Sequence, residues 1–301
     1  MKPRVIVIVG PTASGKTSAS IKLAKKINGE IISADSMQIY KEMNIGTAKP
    51  TLEEMSGIKH YMFDVVAPDE TYNVTKYVEE ALKSIKEILE KGKNPIIVGG
   101  TGLYISTLIN GIKFSEVNED SKYREEMTKI AQEKGNEYLH EMLRKVDPEA
   151  AENIEVNNVR RVIRALEIYK TTGKTKTQVD KESRKEVPYE YAVYGIETER
   201  EKLYDRINVR VDKMLEDGLV DEVKSLLKKY NFSSTAIQGL GYKEVKEYIE
   251  GNITYDEMVE KLKMETRRYA KRQMTWFKRE KQITWCTLDD IVDKILFDLK
   301  M

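Results

Sequence analysis

The octapeptide GPTASGKT, residues 10–17, follows the apolar run RVIVIV. It fits the pattern G-x-x-x-x-G-K-[ST], with the strand before and the helix after that give the pattern its meaning. In such a loop the backbone of Gly10, Pro11, Thr12, Ala13, Ser14 and Gly15 curls around a phosphate and turns its N–H groups, which Pro11 alone lacks, inward, and the N-terminus of the following helix adds its positive end. Lys16 supplies a mobile charge, Ser14 and Thr17 supply hydroxyls, and the Thr17 hydroxyl is a ligand for Mg2+. An NTPase usually also has a strand ending in an acid that positions the metal. The obvious strand here, NPIIVGGTGLY, ends instead in Gly99, Gly100 and Thr101, while Asp35 in IISADSMQIY and Asp64 in YMFDVV are the other strand-end acids. Phosphate binding follows from these residues. A hydrolysis apparatus does not, and a nucleotide or small-molecule kinase, which carries the same loop, stays open.

The elements that must position these residues are short apolar runs bounded by turn residues, at 4–10, 30–35, 60–65, 94–100, 189–197 and 282–288, most of them rich in Val and Ile. Helical patterns lie between them, for example at 17–27 and at 74–91, the latter ended by Gly92. Strands alternating with helices predict a P-loop NTPase-like α/β fold: a mostly parallel, doubly wound sheet with helices on both faces. From about Ile112 to Val187 the strand signal vanishes and charged, helix-favouring segments such as 120–134 and 157–172 take over. The expected organisation is therefore an α/β core of residues 1–113 and 187–301 with an inserted helical domain at 114–186.

With 301 residues and a 40% hydrophobic fraction, the chain can build a sizeable core. Its apolar runs are far shorter than the roughly 18 residues of a membrane span. No signal-peptide core is evident, and the expected location is the cytoplasm. One cysteine, Cys286, excludes an internal disulfide, and His60 and His140 are too few for a Cys/His zinc cluster, so any metal must be held by oxygen. The net charge of +1 does not itself point to nucleic acid, but the distribution does. Residues 157–185 hold nine basic residues, Arg160, Arg161, Arg164, Lys170, Lys174, Lys176, Lys181, Arg184 and Lys185, against Glu167, Asp180 and Glu182. Residues 260–281 again hold nine basic residues against three acids. A solvated helix face is the ordinary explanation of a charge run; a phosphate backbone is the other.

Taken together and in order, GPTASGKT, ISADSMQIYKEMNIGTAKP, GGTGLY, NNVRRVIRALEIY and AKRQMTWFKRE resemble the tRNA dimethylallyltransferase (tRNA isopentenyltransferase) family, in its bacterial form without a C-terminal zinc finger. The resemblance spans almost the whole chain. It implies transfer of a dimethylallyl group from its diphosphate to the exocyclic amine of the adenosine immediately 3′ of the tRNA anticodon, with Mg2+ as cofactor, dimethylallyl diphosphate and the anticodon arm as partners, and a monomeric enzyme. The phosphates in the loop would then be a leaving group. The resemblance further implies diphosphate contacts from Arg206 or Arg210 in YDRINVR, and tRNA contacts from Asp35, Ser36, Met37, Gln38, Thr101, Arg124, Asn158, Val159, Arg160, Arg161 and Arg164.

Chemically, the adenine amine is a poor nucleophile, and a carboxylate within hydrogen-bond reach would orient it and take its proton. Asp35, at the end of the second strand, lies on the same sheet edge as the phosphate loop, where ligands of open α/β sheets bind. The alternative role of Asp35 is to cap the turn that follows it, and that of Thr101 is to cap a helix. The target base must leave the stack to reach a donor in the core, which calls for a tunnel with two mouths. Arg160, Arg161 and Arg164 would grip the RNA backbone. Tyr269, Trp276 and Phe277, interleaved with basic residues, suit phosphate binding with some stacking, although Trp276 is expected to be buried. The rival readings are a kinase, a non-catalytic RNA-binding protein, for which Asp35 would be unnecessary, and a prenyltransferase of free adenylate, which would have no use for two basic stretches.

Overall fold

The sheet runs β3-β2-β4-β1-β5-β6, and every pairing in it is parallel. This computed structural model describes residues 2–112, 120–183 and 186–300, so Arg184 and Lys185 lie outside the described residues. The chain divides into two units, 1–109 with 187–301, and 110–186. In chain order the larger unit begins with β1 (Arg4–Val9), α1 (Lys16–Ile27), β2 (Gly29–Ser33), α2 (Leu52–Met55), β3 (His60–Tyr61), α3 (Val74–Glu90), β4 (Asn94–Gly99) and α4 (Gly102–Ile109). The smaller unit contains α5 (Ser121–Lys134), α6 (Asn136–Val146), α7 (Pro148–Asn153), α8 (Val159–Thr172) and α9 (Lys176–Glu182). The larger unit resumes with β5 (Glu190–Ile196), α10 (Arg200–Glu216), α11 (Leu219–Lys229), α12 (Tyr242–Ile249), α13 (Tyr255–Phe277), β6 (Thr284–Cys286) and α14 (Ile291–Leu299).

Alternation along β1 divides the core. Val5, Val7 and Val9 join the cluster that holds Tyr77, Tyr104 and Tyr242, while Ile6 and Ile8 join the one that holds Leu23, Ile291 and Ile295. Burial on both faces is why the central strands read as unbroken apolar runs. The run at 60–65 forms only a two-residue strand, because Met62 and Asp64 take left-handed backbone conformations (φ 66° and 54°) that turn the chain out of the sheet. No described helix is long and apolar enough to cross a membrane.

The smaller unit is helical and has its own core of Met127, Leu139, Leu143, Val162 and Leu166. Asp120, Asp147 and Thr175 accept backbone N–H groups at the starts of α5, α7 and α9, each satisfying a donor that the helix leaves open.

Candidate active site

Three neighbouring strands deliver the candidate residues to one edge of the sheet. The phosphate loop follows β1, Asp35 follows β2 and Thr101 follows β4, and β4 lies between the other two. The pair of glycines that ends β4 is dictated by close approach. A Cβ on Gly99 would stand 2.1 Å from the Ala34 carbonyl oxygen, and one on Gly100 would stand 2.1 Å from Nε2 of Gln273. An acid could not occupy either place.

A cavity of about 360 Å³ opens within the larger unit, lined by Thr12, Lys16 and Thr17 of the loop, by Asp35, Ser36, Met37 and Gln38 after β2, and by Arg210, Met214, Tyr269, Arg272 and Gln273 from α10 and α13. Gly46, Thr47, Ala48 and Pro50 form another part of its wall, and His60 and Phe63 stack there at 5.5 Å between ring centroids.

Within the loop, Gly15 (φ 90°) precedes α1 and Ala13 is held at φ 61°. Ala13 packs with Leu203, Ile207 and Ala270. Lys16 Nζ donates to the Pro11 carbonyl, as does the Ser14 N–H. Loss of water at Lys16, and after it the neighbouring Arg210 guanidinium, bring its ammonium down to about 7, against the opposing pull of Asp35. Burial likewise lowers Arg210, with Asp35 and Glu54 opposing. Burial raises the Tyr269 phenol, and Asp35 adds to that, while Thr101, Arg272 and Gln273 pull it back.

Asp35 both caps and faces the cavity. Its Oδ1 accepts the N–H groups of Met37 at 2.8 Å and Gln38 at 3.4 Å, and among the described residues no hydrogen bond engages Oδ2. Thr101 is not on the cavity wall. Its Oγ1 accepts the Ser36 N–H at 3.0 Å and donates to Ser36 Oγ at 3.3 Å, so it braces the turn that carries Asp35. The Gln38 amide is spent internally: its oxygen accepts from Ser33 Oγ and its nitrogen donates to the carbonyls of Thr47 and Ala48.

Several expected contacts are not where the sequence placed them. Arg206, one turn before Arg210 and on nearly the same face of α10, is exposed and off the cavity wall, which α10 meets only through its later turns at Arg210, Val211 and Met214. Asp64 is paired with Lys49 at 2.7 Å and does not belong to the site. Phe277 is fully buried and so cannot stack on a base, whereas Trp276, expected to be buried, is half-buried, with its indole N–H donating to Ser106 Oγ at 2.8 Å. In the smaller unit Arg160 and Arg161 are exposed, Asn158 and Val159 are half-buried at the start of α8, and Arg164 and Arg124 are turned to an internal task. Both bind the fully buried carboxylate of Glu167, Arg124 through Nε and Nη2 at 2.9 Å each. Burial pushes that carboxyl up, but the two guanidinium groups and the Asp120 N–H outweigh it and hold it below its ordinary value. The residues that sequence reasoning missed are Gln273 and Glu222, which act across long chain separations, and Glu167, whose pairing with Arg164 is local but whose pairing with Arg124 spans 43 residues.

No cluster of three or more His, Cys, Asp or Glu side chains that could hold a metal occurs among the described residues. Mg2+ held with phosphate oxygens and water needs only one or two protein oxygens. Thr17, on the cavity wall, fits that need, and Ser14 Oγ, buried without a hydrogen-bond partner, would be satisfied by a phosphate oxygen.

The family model described as IPP transferase matches residues 38–280. A tRNA dimethylallyltransferase of Acetivibrio thermocellus is 56% identical over 300 residues, covering 98% of this chain and 96% of the relative, and one of Bacillus cereus is 50% identical over 289 residues, covering 96% and 91%. Among solved structures, the tRNA isopentenylpyrophosphate transferase of Bacillus halodurans superposes with a TM-score of 0.74 at 43% identity over 100% of this chain and 96% of that one. A eukaryotic dimethylallyltransferase captured acting on tRNA gives a TM-score of 0.80 at 33% identity over 95% and 74%. Identity at this level, sustained from the phosphate loop to the last strand, leaves one conclusion: the chain belongs to the IPP transferase family.

Proposed function

We propose that the protein transfers a dimethylallyl group from dimethylallyl diphosphate to the exocyclic amine of the adenosine immediately 3′ of the tRNA anticodon, giving N6-dimethylallyladenosine and diphosphate. The observation that carries this reading is the single cavity that joins Lys16, Thr17 and Arg210, suited to a diphosphate, with the open carboxylate oxygen of Asp35, suited to an amine. The names of the relatives support it. A kinase is disfavoured, because β4 ends in glycines where a metal-positioning acid would stand.

As the allylic C–O bond breaks, its electron pair leaves with the diphosphate, whose growing charge meets Lys16, Arg210 and the N-terminus of α1. Mg2+, which Thr17 would hold together with the diphosphate oxygens, neutralises charge on the leaving group when bound. The adenine nitrogen forms the new C–N bond, and Asp35 Oδ2 takes the proton it sheds. Oδ1 is anchored by two backbone N–H groups, which fixes the carboxylate before the base arrives.

Incubation with dimethylallyl diphosphate, Mg2+ and unmodified tRNA should yield prenyladenosine in the digested RNA. Asp35→Asn keeps the cap oxygen but cannot take a proton, so the single-turnover rate should fall by about 10²–10⁴ while tRNA affinity stays nearly constant. ATP consumption without prenyladenosine would overturn the reading. A near-wild-type rate in Asp35→Asn would reduce Asp35 to the cap it also forms.

A further inference from the structure

The phosphate loop and the wall that carries Asp35 are separate strand ends, and one buried amide ties them together. Gln273, only 5% exposed near the C-terminal end of α13, accepts the Thr12 N–H on its side-chain oxygen at 2.8 Å and donates from Nε2 to the Gly100 carbonyl at 2.9 Å. The residue after Gly100 is Thr101, whose hydroxyl holds the Ser36 N–H. The absent side chain of Gly100 makes room for this amide. An amide suits this place, since one group must accept on one side and donate on the other, which neither a carboxylate nor an ammonium can do.

We propose that Gln273 is a positioning residue that sets the spacing between the bound diphosphate and the acceptor-side wall, and that it does so through Thr12 and Gly100. This rests on the proposed transfer reaction. Thr12 is the loop residue whose N–H Gln273 holds, so freeing it slackens the diphosphate cradle. Freeing Gly100 shifts Thr101, and with it the turn bearing Asp35. A displacement of about 1 Å in such a site costs about 10²-fold in rate.

The test uses Gln273→Met, close in volume but unable to make either hydrogen bond, and Gly100→Ala, whose Cβ would push the amide aside. Binding is measured with inorganic diphosphate and separately with unmodified tRNA, and transfer under single-turnover conditions with both substrates saturating, all well below each melting temperature. In both variants diphosphate affinity should fall about 5- to 30-fold and the saturated rate at least about 10-fold, with tRNA affinity within about 3-fold. The double variant should be little worse than either single one, because both break the same link. A lower melting temperature with wild-type diphosphate affinity and saturated rate would make Gln273 a packing residue only and overturn the proposal. If the wild type transfers no prenyl group, the reaction assignment fails, while the diphosphate measurement still decides whether Gln273 organises the loop.

Discussion

Asp35 shows how one carboxylate serves two roles that look exclusive in a sequence. One oxygen caps the turn while Asp35 lies on the cavity wall, so the cap is the means by which the proposed proton acceptor is held. Lys16 is set the opposite way, by burial and by the Arg210 guanidinium beside it. Because its folded-state pKa is about 7, below the ordinary 10.5, the folded protein binds fewer protons than the unfolded chain between those values. The cost of this lysine to stability is therefore full below about pH 7 and is relieved as pH rises toward 10.5. A diphosphate beside Lys16 restores its charged form. Calorimetry of diphosphate binding in buffers of different ionisation enthalpy should show uptake of up to about one proton at pH 8 by the wild type relative to Lys16→Met, fading at pH 6. Equal uptake by both proteins at pH 8 would show that the lysine is already charged.

Among the elements, the segment between β2 and α2 shapes the cavity without regular structure of its own. It is clamped from α11 by Glu222, which accepts the N–H groups of Asn44, Ile45 and Gly46 at 3.0, 2.8 and 3.2 Å, and the Tyr242 hydroxyl at 2.6 Å. Four donors on one carboxylate explain why this segment can line a site with Gly46, Thr47, Ala48 and Pro50 and remain ordered. Glu222→Ala should cost about 2–3 kcal/mol and speed amide exchange of residues 44–48 well before that of β1. Uniform exchange behaviour across both segments would mean that the segment is held by packing instead. The long helix α13 has a comparable double character. Its basic residues Arg268, Lys271 and Arg272 sit among buried Thr266, Ala270 and Gln273, so a helix that reads as a charged surface in the sequence also reaches the phosphate loop.

At the scale of the whole molecule, the near-zero net charge hides arginines of two kinds. Arg160 and Arg161 are exposed on the smaller unit, whereas Arg124 and Arg164 neutralise a buried carboxylate. Replacing Arg160 and Arg161 together by Ala should leave the melting temperature nearly unchanged and reduce the slope of log tRNA affinity against log salt by about 1.5. Arg124→Ala should do the reverse, costing about 3–5 kcal/mol because Glu167 would be left buried with half its compensation. The stability lent by Glu167 is present above the ordinary carboxylate pKa and is lost as pH falls through its lowered folded value. A wild-type-like salt slope in the double variant would remove Arg160 and Arg161 from the proposed RNA interface.

The sequence by itself determined the phosphate loop, the six strand positions, the helical character of residues 121–182 and the family, because each is written in neighbouring residues: glycine spacing, Val and Ile runs, helix periodicity and motifs in order. Asp35 was legible for the same reason, since it ends a strand on the edge the loop occupies. What the tertiary structure alone decided is which side chains converge. Arg210 and not Arg206 lines the cavity, although a spacing of four puts both on nearly the same face of α10, because the cavity meets only the later turns of that helix, at Arg210, Val211 and Met214. Gln273 meets Thr12 across 261 residues of chain, and Arg124 meets Glu167 across 43. No local pattern can encode such pairs, because a hydrogen bond depends on distance in space and on what else has been excluded from the same place.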